Sequence, residues 1–280
     1  MRHTGNKYKF PKIAVLICIV VLMLALTLEK NNAYSAGDND PSNHKTNKRV
    51  AIIIDDFGNG QMGTEEMLSM PVKLTIAVMP FLPTTQRDAK IAHERGHDVI
   101  VHLPMEPKAG RPEWLGPGAI TTKLSDAEIR QRVEAAIDNV PFAVGMNNHM
   151  GSKVTGDEHI MSIVLDVCKE RGLFFVDSHT NYRSIVGKVA AQKGMPVLEN
   201  NIFLDDVAST IHVSKQLQKI GLWLRDHDQC VSIGHVGLKG KYTAAALKQS
   251  IPKMQENAKF VGVTDLVQSI WQKRVFPTLP

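Results

Sequence analysis

The chain has 280 residues, of which 43% are hydrophobic and 22% charged. That balance excludes a disordered tail, a collagen-like repeat and a small disulfide-stapled module, and the length suits two small domains or one α/β barrel. The formal charge of +5 lies mostly in residues 1–36, whose net is +4, so the remaining body carries +1 and lacks the footprint of a nucleic-acid binder.

Residues 2–12 are basic, and Ile13 to Leu28 is an apolar run broken only by Cys18 and Thr27. Sixteen residues is short for a spanning helix and suits a signal-peptide core, and Ala33-Tyr34-Ser35-Ala36 offers small residues for cleavage. Residues 1–36 are therefore expected to be a signal peptide or an N-terminal membrane anchor that exports the body. Residues 37–48, polar and aperiodic, read as a linker.

From Arg49 a strand–helix rhythm begins. β-Branched runs at 50–55, 73–79, 98–103, 143–147, 173–177, 197–204, 230–235 and 260–263 alternate with amphipathic stretches at 126–139, 160–171, 209–226 and 244–258. Ser125, ahead of Asp126 and Glu128, reads as a helix start, and Gly172 as a helix stop. Such alternation predicts βαβ units and a parallel sheet. The fold class expected is α/β: a distorted (β/α) barrel of about seven parallel strands spanning residues 49–270, with a tail at 271–280. An open doubly wound sheet is the alternative, but no glycine-rich nucleotide-binding loop follows the first strand. Cys168 and Cys230 show no CxxC spacing and read as inert core residues.

The polar residues fall at strand ends. One run ends in Asp55-Asp56, another in His102 with Glu106 just beyond, a third in Asn147-Asn148-His149, a fourth in Asp177 and a fifth in His235. In parallel α/β folds the carboxyl ends of the strands build the active site. Adjacent carboxylates on one strand are too close to act across a glycosidic bond, which argues against a glycosidase and fits one metal ligand beside one base. His102, His149 and His235 with Asp56 form a donor set suited to zinc or another divalent first-row metal. The remaining histidines at 93, 97, 159, 212 and 227 read as surface residues, with His179 undecided.

Together the segments IIIDDFG (52–58), VHLPMEP (101–107), NNHMGS (147–152), FFVDS (174–178) and IGHVG (233–237) resemble the divergent polysaccharide deacetylase family, relatives of the carbohydrate esterases. The resemblance implies a metal-dependent deacetylase barrel. It implies Asp55 as catalytic base, Asp56 and His102 as metal ligands and His235 as general acid. The wider family's second motif pairs two histidines four residues apart, and here the second position is Glu106. His149 is therefore expected to complete the metal set, with Glu106, Asn148 and Asp177 as supporting or substrate-contacting residues. The expected cofactor is a divalent metal, zinc first, and the expected partner an acetylated polysaccharide such as a cell-wall glycan. Nucleic acid is not expected, and membrane only through the N-terminal segment. The competing expectation is an inactive barrel that binds a glycan or a partner in the cell envelope.

Overall fold

The computed structural model describes residues 47–275, so the signal or anchor segment and nearly all of the linker lie outside the described residues. Strand β1 (Arg49–Phe57) is buried almost throughout, and its continuous apolar run reflects a strand covered on both faces. Val50, Ile52 and Ile54 join an outer cluster beneath the helices, whereas Ala51 and Ile53 join an inner one. The other strands are β2 (Thr75–Val78), β3 (Asp98–Met105), β4 (Ala143–Met150), β5 (Phe174–Asp177), β6 (Leu198–Glu199), β7 (Ile202–Phe203), β8 (Gln229–His235) and β9 (Lys259–Val261). All pair in parallel, in the order β6-β5-β4-β3-β2-β1-β8-β7, with β9 beside the start of β1.

The run expected as one strand over 197–204 is broken at Asn200-Asn201. Leu198 and Glu199 pair with β5, and Ile202 and Phe203 pair with β8. The two asparagines make the step: Asn200 N–H donates to Asp177 O, while Asn201 exchanges two hydrogen bonds with Val231. One short segment thus joins the two edges of the curled sheet. Counting β6 and β7 as one position and setting aside the short β9 beside β1, seven strands surround the inner cluster, which makes this a distorted (β/α) barrel.

Helices α1 (Thr64–Leu68), α2 (Thr85–Glu94), α3 (Asp126–Asn139), α4 (Glu158–Glu170), α5 (Val186–Gln192), α6 (Thr210–Asp226) and α7 (Gly240–Gln255) follow strands in turn, and α8 (Val263–Val275) closes the chain. Ser125 and Glu128 form a reciprocal capping box that fixes the start of α3. Helix α8 runs on to Val275, and its Val263 and Leu266 fill the inner cluster. Among the described residues no helix is long and apolar enough to cross a membrane. Cys168 and Cys230 are free and buried, and burial pushes their thiols up to about 12 and about 11.

His97 departs from the surface position expected for it. It is buried, its Nδ1 accepts the Leu74 N–H at 3.1 Å, and its Nε2 lies 3.1 Å from Leu68 O. A polar sequence neighbourhood concealed a ring that serves two backbone groups at the foot of β2 and β3.

Candidate metal and catalytic centre

Strand alternation decides which polar residues meet. On β3, Ile100 faces the barrel interior, so His102 does too; the ladder sets His102 beside Asn147, and His149 follows on the same face. On β1 and β8, Ile53 and Ile233 face inward and lead to Asp55 and His235, which are paired across the ladder. Regular alternation would send Asp56 outward. Instead the β1–β2 register shifts between Ile54 and Phe57, and Asp56 adopts φ 71°. Aspartate tolerates this left-handed conformation better than most residues. The bulge returns Phe57 to the outer cluster and leaves Asp56 at the mouth. Gly58 follows at φ 116°, and a Cβ there would lie 2.9 Å from Met79 O, so the turn has no room for a side chain.

Three donor atoms converge there. Asp56 Oδ1 lies 3.3 Å from His102 Nε2 and 3.1 Å from His149 Nδ1, and the two nitrogens are 3.1 Å apart. Oδ1 is buried and has no hydrogen bond of acceptable geometry, although both rings face it. The two imidazoles are held by their far nitrogens: His102 Nδ1 is 2.7 Å from Asn147 Oδ1, and His149 Nε2 is 3.0 Å from Trp114 O. Asn147 Nδ2 donates to Asp55 Oδ1 at 2.9 Å, which turns the amide oxygen toward His102. Carbonyl partners call for N–H on the far nitrogens, so the near nitrogens carry lone pairs. Two lone pairs and a carboxylate oxygen at nearly equal separations leave a position for a cation. Around a tetrahedral zinc with bonds of about 2.0–2.1 Å, ligand atoms stand roughly 3.3 Å apart. The residues present fit such an ion.

Burial pushes the Asp55 carboxyl above its usual range, a rise that His102 and His235 oppose. Burial acts the same way on Asp56, but its contacts with His102 and His149 win and hold it well below. For His102, burial disfavours the charged ring, yet Asp55 and Asp56 raise its pKa. His235 is a separate unit. Its Nδ1 lies 2.7 Å from Asp205 Oδ1, while Asp205 Oδ2 accepts the His235 N–H and the Thr243 hydroxyl. Burial opposes protonation, but the Asp205 bond and charge prevail and raise His235 to about 9.

Other expected site residues turn elsewhere. Glu106 binds Lys153 Nζ at 2.6 Å through one oxygen and Thr122 N and Oγ1 through the other, and the Lys153 bond foremost lowers it to about 2. Asn148 lies on the outer face, accepting the Ser178 N–H and donating to Met150 O, so Asn147 rather than Asn148 supports the histidine. Asp177 accepts the N–H of His179 and shapes its own turn. Sequence reading missed Asp205, although it too ends an apolar run, Ile202–Leu204, by the rule that found the others. Trp114 acts through its backbone carbonyl, for which no sequence signal exists.

A parallel barrel with carboxylates and imidazoles gathered at the carboxyl ends of its strands is an α/β barrel with a candidate metal centre at its mouth. The chain belongs to the divergent polysaccharide deacetylase family, whose model matches residues 52–267. It is 31% identical over 232 residues to an uncharacterized protein of Haemophilus influenzae, covering 83% of this chain and 80% of that one. Identity to the Escherichia coli protein YibQ, also uncharacterized, is 34% over 219 residues, covering 78% and 67%. The crystal structure of an uncharacterized Agrobacterium tumefaciens protein, ATU2773, shares the fold with a TM-score of 0.73 at 21% identity, covering 79% of this chain and 89% of that chain.

Proposed function

We propose that the protein is exported and that this site removes acetyl groups from an extracytoplasmic, acetylated glycan with the help of a divalent metal, zinc first. The observation that carries this reading is the near-equilateral set of Asp56 Oδ1, His102 Nε2 and His149 Nδ1, in which the carboxylate oxygen is buried and orphaned. Asp56, His102 and His149 would hold the ion. Bound there, a divalent metal lowers the pKa of a water and polarises a carbonyl oxygen. Asp55, hydrogen-bonded through one oxygen to Asn147, keeps the other free to accept a proton from the attacking water. His235, protonated at neutral pH by its pairing with Asp205, delivers a proton to the departing amine or alkoxide. Family membership supports the acetylated-carbohydrate substrate, and the basic–apolar leader supports export.

The test is metal analysis of the purified protein with acetate release from a panel of acetylated glycans. Stoichiometric metal and release dependent on Asp55 support the reading. Failure to bind metal overturns it. Stoichiometric metal without release from any glycan leaves the binding barrel instead, a reading favoured by the engagement of Glu106 with Lys153 and Thr122 where the wider family has a second histidine.

A further inference from the structure

A buried carboxylate that the proposed chemistry does not use stands behind the Asp56 bulge. Asp88 lies in the first turn of α2 and is fully buried, although an acid placed there only for the helix dipole could stay in water. Burying a carboxylate is costly unless its oxygens find partners. Asp88 Oδ1 accepts two hydrogen bonds from the Arg87 guanidinium, at 3.1 and 2.9 Å. Its Oδ2 accepts the Thr84 hydroxyl at 2.7 Å and, 30 residues back in the chain, the Gly58 N–H at 3.1 Å.

That amide belongs to the second residue after Asp56, and the backbone on either side of Asp56 is pinned. Upstream, Asp55 O accepts the Val236 N–H at 3.1 Å. Downstream, the Phe57–Gly58 peptide is held at both ends, its oxygen by the Met79 N–H at 2.9 Å and its N–H by Asp88. Gly58 O then accepts the Thr84 N–H at 2.7 Å, and the Gly60 N–H donates to Thr84 Oγ1 at 3.0 Å. A non-glycine residue at φ 71° persists only where its surroundings over-determine it. Of these bonds to the turn, only the one from Gly58 to Asp88 is charge-assisted, a kind about twice as strong as a neutral one.

We infer that Asp88 is a positioning residue for Asp56: from α2 it holds the turn that aims the Asp56 carboxylate at His102 and His149. Without this clamp β1 is free to continue its regular alternation, which sends Asp56 away from the two imidazoles. The effect of Asp88 on a bound metal rests on the reading of Asp56, His102 and His149 as ligands. Its effect on the position of Asp56 does not.

The experiment titrates the full chain with zinc against a competing chelator. Asp88→Ala is expected to lower zinc affinity about 10–100-fold, because the ion must then restore the turn in order to bind. Asp88→Asn keeps an oxygen for the Gly58 N–H and the Thr84 hydroxyl and is expected to recover most of that loss. Asp98→Ala is the control: it removes a buried carboxylate at the start of β3, bonded to Lys73 and the Thr264 N–H, and should lower stability while leaving zinc affinity unchanged. Should Asp88→Ala not fold, Thr84→Val removes the hydroxyl that braces Asp88 and acts in the same direction. A crystal structure of the variant reads Asp56 with or without zinc, and its φ is expected to turn negative with the carboxylate away from His149. Unchanged zinc affinity, an Asp56 that stays left-handed, or an equal loss of zinc in Asp98→Ala overturns the inference. A parent chain that binds no zinc removes the metal reading instead, and the position of Asp56 in the variant crystal then decides for or against the clamp.

Discussion

Asn147 and His102 stand side by side in the β3–β4 ladder and are joined by a 2.7 Å hydrogen bond from ring to carboxamide. The other end of the same carboxamide donates to Asp55. One uncharged side chain therefore sets the tautomer of a candidate metal ligand and the direction of the candidate base. Replacing it with alanine is expected to weaken zinc affinity by about 10–100-fold, the usual effect of losing the partner of a metal-bound imidazole. Competition with a chelator measures it, and unchanged affinity would show that Asn147 has no such role.

Exchange of His149 and of Glu106 should give opposite results. His149→Ala removes one of three converging donors and is expected to abolish stoichiometric metal. Glu106→Gln leaves metal bound and acts on the fold, because Lys153 and Thr122 lose a charged partner; with the pair partly exposed, about 1 kcal/mol of stability is expected to go. The reverse ranking in metal titrations would make Glu106 the ligand.

Asp55→Asn keeps the size of the base and its contact distance while removing the proton acceptor. Turnover is expected to fall about 10²–10⁴-fold with metal content retained. Loss of metal instead would exchange the roles of the two aspartates.

The Asp205–His235 pair fixes an alkaline limit. A ring raised to about 9 is protonated, and able to act as acid, below that pH, so kcat/KM should fall as pH rises through about 9. Asp205→Asn removes the hydrogen-bonded charge, and the limb is expected to move down toward the ordinary histidine value of about 6.5. A limb that stays in place would separate His235 from proton transfer.

His97 makes a prediction about stability. Burial lowers its pKa, so the folded ring stays neutral where the unfolded one takes a proton. Its contribution is complete above about pH 6.5 and is lost as pH falls below it, with a slope of at most about 1.4 kcal/mol per pH unit. His97→Gln should flatten denaturant-derived stability between pH 5 and 6.5 relative to the parent chain, at a lower overall level.

Much of this was legible in the residues. Apolar runs buried on both faces announce parallel strands, and a charged or imidazole residue after such a run marks its carboxyl end, which is how Asp55, His102, His149 and His235 stood out. The same rule applied to residues 202–204 would have found Asp205. His97 and Asn148 misled for a common reason: polarity in the sequence says neither which way a side chain turns nor whether backbone groups wait to receive it.

The strand–helix order, the barrel class and the residue types at the strand ends were determined by the sequence alone, because burial and periodicity are local properties of the chain. Which of those residues meet was decided only in three dimensions. Register placed Asn147 against His102 and Asp55 against His235. A single bulge at Asp56 turned a carboxylate that alternation would have sent outward into the mouth. The Asn200-Asn201 step joined the sheet edges, and a loop carbonyl at Trp114 selected the tautomer of His149. Each depends on a hydrogen bond between residues far apart in the chain, and no local pattern encodes such a bond.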